Sequence, residues 1–290
     1  MPMTNSTRTS VRRGVSLIEL LVGIVIFAIV GAAFTKLLSV QGRFFDKQGM
    51  ANAARNVSRA SLNRVISDFR MIEATGGVIA ATSQSLTIRI PFAIGVVCGD
   101  DGALGTVVSL LPVDSTTYAN AGYYGYAWRN FQTGAYTYVE NPSSELAGNA
   151  AICVAKNLTT VPPGKVVTLT PLLPAGAGLG APVFLYARVR YEFKASLAVP
   201  GKLGLYRTQI RPNGTESSEE LVAPFASTAK WRFFVVSNSN TAQDNVPAQL
   251  SDLRGLELHL DGTSENIAPG RTSNESAPFT TAVFFKNRTN

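Results

Sequence analysis

The sequence is poor in the residues on which most enzymes rely. Its 290 residues include one histidine, His259, which excludes His-rich metal sites and leaves little room for imidazole-based catalysis. Its two cysteines, Cys98 and Cys153, permit at most one intrachain disulfide, so this is not a small disulfide-stapled scaffold. Charged residues make up only 16% of the chain, against roughly 25% in ordinary soluble domains, which excludes a highly charged disordered chain. There is no Walker loop, no G-x-G-x-x-G after a strand, no H-E-x-x-H and no nucleophile elbow. On these grounds no enzyme, no metal and no cofactor are expected. What the chain does have is apolar material, 46% of its residues, enough for one large domain or two small ones.

That material is concentrated near the N-terminus. Residues 1–14 (MPMTNSTRTSVRRG) are polar and basic, carrying Arg8, Arg12 and Arg13 and no acid. From Val15 to Leu38 the only ionisable side chains are Glu19 and Lys36. As a helix this run spans about 36 Å, enough to cross a hydrocarbon core of about 30 Å. The basic flank predicts a cytoplasmic N-terminus with the remainder exported. A cleavable secretory signal would have a shorter apolar region ending in a small-residue site. Here the run is longer and continues into helix-forming sequence. A plain signal anchor meets the same composition.

Glu19 separates these readings. A carboxylate at mid-bilayer costs about 2.5–3.5 kcal/mol on insertion scales, less near the interface, and such residues are usually functional. Its surroundings, Arg12-Arg13-Gly14-Val15-Ser16-Leu17-Ile18-Glu19-Leu20-Leu21-Val22, closely resemble the class III signal of type IV prepilins and type II secretion pseudopilins. The resemblance implies cleavage after Gly14 by a membrane prepilin peptidase and methylation of the new amine on Val15. Phe, Met or Leu is usual where this chain has Val15. It also implies that Glu19 acts in assembly, pairing with the amine of a neighbouring subunit, a partner that makes a buried carboxylate tolerable. The implied partners are the peptidase/methyltransferase, other pilins or pseudopilins, an inner-membrane assembly platform and the lipid bilayer.

Past the apolar run, Phe45, Ala54, Val57, Leu62, Val65, Ile66, Phe69 and Ile72 recur, from Leu62 onward at amphipathic helical spacing. This predicts one helix from Val15 to Glu73, about 88 Å long and stopped by Gly76-Gly77. Arg43, Lys47, Arg55, Arg59, Arg64 and Arg70 decorate its second half. A solvated face balanced by Asp46, Asp68 and Glu73 is favoured over a nucleic-acid footprint. Cleavage after Gly14 would remove three arginines and no acid, lowering the formal charge from +7 to +4.

Beyond Gly77 the pattern is that of strands. Alternation predicts them in 85–92, 122–131, 165–170, 183–193, 204–211, 230–237, 253–261 and 280–287, with turns at Pro200-Gly201 and Pro212-Asn213-Gly214 favouring antiparallel pairing. The expected fold is α+β: a long N-terminal helix packed on a mostly antiparallel β-sheet head. Its expected parts are a leader (1–14), a transmembrane and assembly helix (15–38), an amphipathic continuation (39–75) and a β-rich head (76–290) with an insertion at 99–163.

That insertion holds Tyr118, Tyr123, Tyr124, Tyr126 and Trp128, which either present a contact surface to a partner or cover the sheet. Cys98 and Cys153 flank it, and on an oxidising exported side a disulfide between them would contribute roughly 4 kcal/mol by chain entropy. Asp100-Asp101-Gly102 reads as a turn rather than a calcium loop. His259, in LELHLD, reads as a strand residue on the polar face.

The segments VFLYARVRYEFKASLAVPGKLGLYRTQIRPNG and EELVAPFASTAKWRFFVV further resemble the heads of large minor pilins of the PilW type and pseudopilins of the type II secretion J type. The function implied is a low-copy structural subunit at or near a filament tip that helps prime assembly. Two alternatives stand beside it: a tip adhesin or DNA-capture module using the Tyr-rich insertion, and a membrane-anchored periplasmic protein that never enters a filament.

Overall fold

The computed structural model describes residues 14–285 except 74, 103–104, 113–117, 119, 131, 141–142, 146–149, 159–163, 174–175 and 236–237, without the side chains of 143–145 and 238–240. One helix, α1 (Leu17–Arg70), leads the chain. From Leu17 to Phe45 its large apolar side chains are 49–82% exposed, while Ala54, Ser58, Ser61, Val65 and Phe69 are buried. The helix is thus divided: its first part is a bare apolar rod, and its last part is docked. Docking starts at Ala54, later than a packed face from Gly42 would have it, and Phe44 and Phe45 stay exposed.

The helix also ends earlier than Glu73. The Met71 N–H turns back to the carbonyls of Asp68 and Phe69, and Ile72 is fully buried. Gly76 has another use. It holds φ +77°, and a Cβ there would meet the Tyr138 ring, so glycine lets the chain leave the helix beneath that tyrosine.

The head follows as β1 (Val78–Ala81), β2 (Ser85–Asp100), β3 (Thr106–Leu110), β4 (Tyr123–Arg129), β5 (Tyr136–Glu140), β6 (Ser143–Glu145), α2 (Ala150–Ala155), β7 (Val166–Thr170), β8 (Pro182–Ala195), β9 (Leu203–Ile210), β10 (Glu216–Phe225), β11 (Lys230–Val235), β12 (Asn238–Gln243), β13 (Leu253–His259), β14 (Gly262–Thr263), β15 (Ser276–Ala277) and β16 (Thr280–Phe284). Each sequence window expected to be a strand contains one. Two antiparallel sheets result. The larger runs β15-β14-β10-β9-β8-β2-β3-β7-β6, and the smaller β12-β11-β13-β16.

Strands β2 and β8 organise the larger sheet, pairing from Ser85↔Glu192 to Val96↔Pro182. The other edge of β8 is shared. β9 takes residues 188–195 and β4 takes 183–187. The strands therefore serve two cores. One joins Val65, Phe69 and Ile72 of α1 to Ile88, Val189 and Tyr191 of the larger sheet and Trp231, Phe233 and Leu256 of the smaller. Phe69 sits edge-on to both Tyr191 and Trp231, at 5.1 and 5.5 Å. The other core gathers Val97, Val108, Tyr126, Trp128, Leu169 and Leu185 around the far half of β2 and β8.

Residues from the 99–163 segment thus enter the larger sheet through β3 and β4. Tyr126 and Trp128 lie in its core at 0% and 5% exposure, so for these two the sheet-covering alternative holds and the partner-contact one does not. Tyr118 packs edge-on to Phe92 and Tyr124 accepts a hydrogen bond from Arg188 at 2.8 Å, both covering the sheet.

A row of small residues seats the helix. Gly262 lies against α1, where a Cβ would meet the Ala54 carbonyl oxygen, and its N–H donates to Ser58 Oγ at 3.0 Å. Ser58 Oγ in turn donates to the Ala277 carbonyl at 3.2 Å.

Candidate processing and assembly site

Gly14, Val15 and Ser16 precede the helix in non-helical backbone, and all three are exposed. Ser16 has φ −74° and ψ 150°, an extended conformation. The Gly14–Val15 bond therefore lies in accessible, unwound chain, the form a peptidase needs to lay a backbone along its active site. Among the described residues a Cβ on Gly14 would meet nothing within 4 Å, so their packing does not require a glycine there. Arg12 and Arg13 of the basic flank lie outside the described residues.

Glu19 has a local partner that its place in the cleavage signal did not announce. The Ser16 N–H donates to Glu19 Oε2 at 3.2 Å, and the Glu19 N–H donates to Ser16 Oγ at 3.3 Å. This is a reciprocal capping box, and it satisfies two backbone donors at the start of the helix, where the macrodipole also favours an anion. The signal for it was the S-x-x-E spacing of Ser16 and Glu19, which can be read without structure. The cap uses Oε2, and among the described residues no hydrogen bond to Oε1 occurs. Glu19 is thus held at the helix start as an exposed residue, with Oε1 left outside the cap.

Behind this turn the rod is continuous. α1 contains a window of mean hydropathy 2.7, none of it buried against the head, and has the length and composition of a membrane-crossing helix.

The remaining candidate residues fall elsewhere. Cys98 and Cys153 are joined in a disulfide with their Cα atoms 4.8 Å apart, tying α2 to the end of β2. Both are buried with Val107 in a small core of their own. Asp100-Asp101-Gly102 forms the β2–β3 turn, where Asp100 accepts from Thr106 Oγ1 at 3.0 Å and Asp101 N–H reaches the Gly105 carbonyl. Among the described residues there is no group of three or more His, Cys, Asp or Glu able to hold a metal. His259 stands beside a row of charged side chains on the small sheet. Its Nε2 lies 2.6 Å from Glu257 Oε1, which also accepts from Arg232, and Asp244 bridges Arg232 to Lys230. Glu257 is held below the ordinary carboxylate range: burial pushes its pKa up, and the hydrogen bonds from His259 and Arg232 outweigh that.

Residues 9–35 match the family model described as the prokaryotic N-terminal methylation motif. No curated protein and no solved structure matches the chain. Through these residues, on an apolar helix set against antiparallel sheets in a pilin-like arrangement, the chain carries the N-terminal methylation motif of type IV pilins and pseudopilins.

Proposed function

We propose that the protein is a minor pilin or pseudopilin, a structural subunit cleaved after Gly14, methylated at Val15, and assembled through α1 into or at the tip of a type IV pilus or a type II secretion pseudopilus. One observation carries this reading. An exposed, unwound Gly14–Val15 bond opens directly onto an apolar rod that the head leaves bare, with a carboxylate in its first turn.

The rod has two successive environments. In the bilayer its apolar surface is covered by lipid, and in a filament by the rods of other subunits, so transfer between the two keeps it out of water. Cleavage creates an amine next to Ser16. The exposed carboxylate of Glu19 offers a neighbour's amine a partner, and the pairing fixes axial register between rods. The head, with its two sheets, is large for a repeating lattice, and this favours a low-copy place at or near the tip, where the subunit helps prime assembly.

Glu19→Ala tests the assembly step. Membrane insertion should survive, because the change removes the one acid of the span. Recovery of the protein with sheared filaments or with cross-linked sibling subunits should fall. Full incorporation of Glu19→Ala would contradict the role given to this carboxylate.

A further inference from the structure

Three cations from two distant parts of the chain meet beside the bare end of the rod. Arg43 and Lys47, one helical turn apart on α1, line a groove with Phe44 and with Ala268, Pro269, Gly270 and Arg271 of the loop between β14 and β15. The loop turns there with Gly270 at φ +79° and the Arg271 N–H donating to the Ala268 carbonyl at 3.0 Å. The Arg43 guanidinium lies 4.0 Å from the position a Gly270 Cβ would take.

The height of this groove is significant. Arg43 and Lys47 lie about 39 and 45 Å along the helix from Leu17. A bilayer with both headgroup layers is about 40–45 Å thick. With Leu17 at one surface, the groove falls in the headgroup layer of the other, and exposed Phe44 and Phe45 lie at the same level. Basic residues close to the exported end of a membrane helix run against the usual bias of Lys and Arg to the cytoplasmic side. Here the head adds a third.

The nearby acids leave a cationic excess. Glu275 pairs with Arg271 at 3.6 Å, and Asp46 is on the same stretch of helix. Among the described residues neither Arg43 nor Lys47 is in an ion pair.

We propose that Arg43, Lys47 and Arg271 seat the phosphate of an anionic phospholipid in the exported leaflet, fixing the height and tilt of the head above the membrane before assembly. The inference rests on the membrane-anchored reading of α1. It names a site and a ligand class that the processing motif does not involve.

The test uses the full-length protein in phosphatidylcholine vesicles containing phosphatidylglycerol, followed by mild detergent extraction and native mass spectrometry of retained lipid. Two triple variants are compared, R43Q/K47Q/R271Q and R55Q/R59Q/R64Q. Each removes three exposed positive charges, but the second set lies farther along the docked part of the helix. The wild type and the second variant should retain phosphatidylglycerol, and the groove variant should retain about thirtyfold less, given about 1 kcal/mol for each of Arg43 and Lys47 at a membrane surface and neutralisation of Arg271 by Glu275. Equal retention by the groove variant, or an equal loss in both variants, would overturn the proposal. Flotation of the same samples keeps the two readings apart. All three proteins should float with the vesicles, and a wild type that fails to float would overturn the membrane reading itself.

Discussion

The Tyr191 hydroxyl donates to Asp68 Oδ2 at 2.5 Å, joining the last turn of α1 to the centre of the larger sheet. Arg207 Nε approaches the same oxygen at 3.4 Å. Tyr191 is fully buried, and its pKa is pushed well above the ordinary tyrosine value, first by burial and then by the Asp68 charge. The pair thus fastens the rod to the head at the point where Phe69 enters the core. Asp68→Ala leaves a buried hydroxyl and a cation without their acceptor, and should cost about 2–3 kcal/mol. Tyr191→Phe should cost about 1 kcal/mol, and the double variant less than the sum. Denaturant unfolding of the full-length protein in detergent checks this by tryptophan fluorescence, because Trp231 packs on Phe69.

The disulfide should stabilise the far half of the head more than the near half. Its ends are 55 positions apart in sequence, so the chain-entropy model gives roughly 4 kcal/mol. Cys98→Ser with Cys153→Ser should raise amide hydrogen exchange in β3 and α2 while exchange in α1 near Phe69 stays slow. Uniform acceleration throughout would show that the two cores unfold as one.

Glu220 gives the head a defined acid sensitivity. Burial pushes its pKa up, but hydrogen bonds from Ser196 Oγ, Tyr206 Oη and the Leu197 and Ala198 N–H groups outweigh this and leave it below the ordinary 4.5. The folded state therefore binds this proton less readily than the unfolded chain. The stabilisation is complete above the unfolded value and is lost as pH falls through the folded one. Glu220→Gln should remove this part of the acid dependence and loosen the β8–β9 turn that the carboxylate holds. Parallel stability–pH curves for the two proteins in the acid range would contradict it.

Ser16 and Glu19 share a cap, yet only Glu19 carries charge. Ser16→Ala should cost about 1 kcal/mol at the helix start and leave filament incorporation largely intact. Glu19→Ala should break the same cap and also block incorporation. Equal losses in the two variants would mean that capping, not charge pairing, is what assembly requires.

Much of this was legible because the physics is local. In 85–92 the alternating apolar residues Leu86, Ile88 and Ile90 are buried, as are Leu256, Leu258 and Leu260 in 253–261, and the processing signal occupies adjacent positions. β10 escaped because its first four residues, Glu216 to Glu219, are exposed and polar, so its pairing with β9 follows from the turn at Gly214 rather than from apolar alternation. The helix end was misplaced because Gly76 resembles a terminator, whereas its actual demand comes from Tyr138, far away in sequence. The fate of Tyr126 and Trp128 depended on β4 extending the lane of β9 along β8, a long-range pairing that no local pattern encodes. The groove at Arg43 is of the same kind, since Arg271 reaches it only through the fold.

The most direct test of the function proposed here is the intact mass and N-terminal sequence of the protein purified from its native membrane. A chain starting at N-methyl-Val15 is the expected result and would place the protein in the pilin assembly pathway. A chain that still carries residues 1–14 would contradict processing at Gly14 and, with it, the filament role.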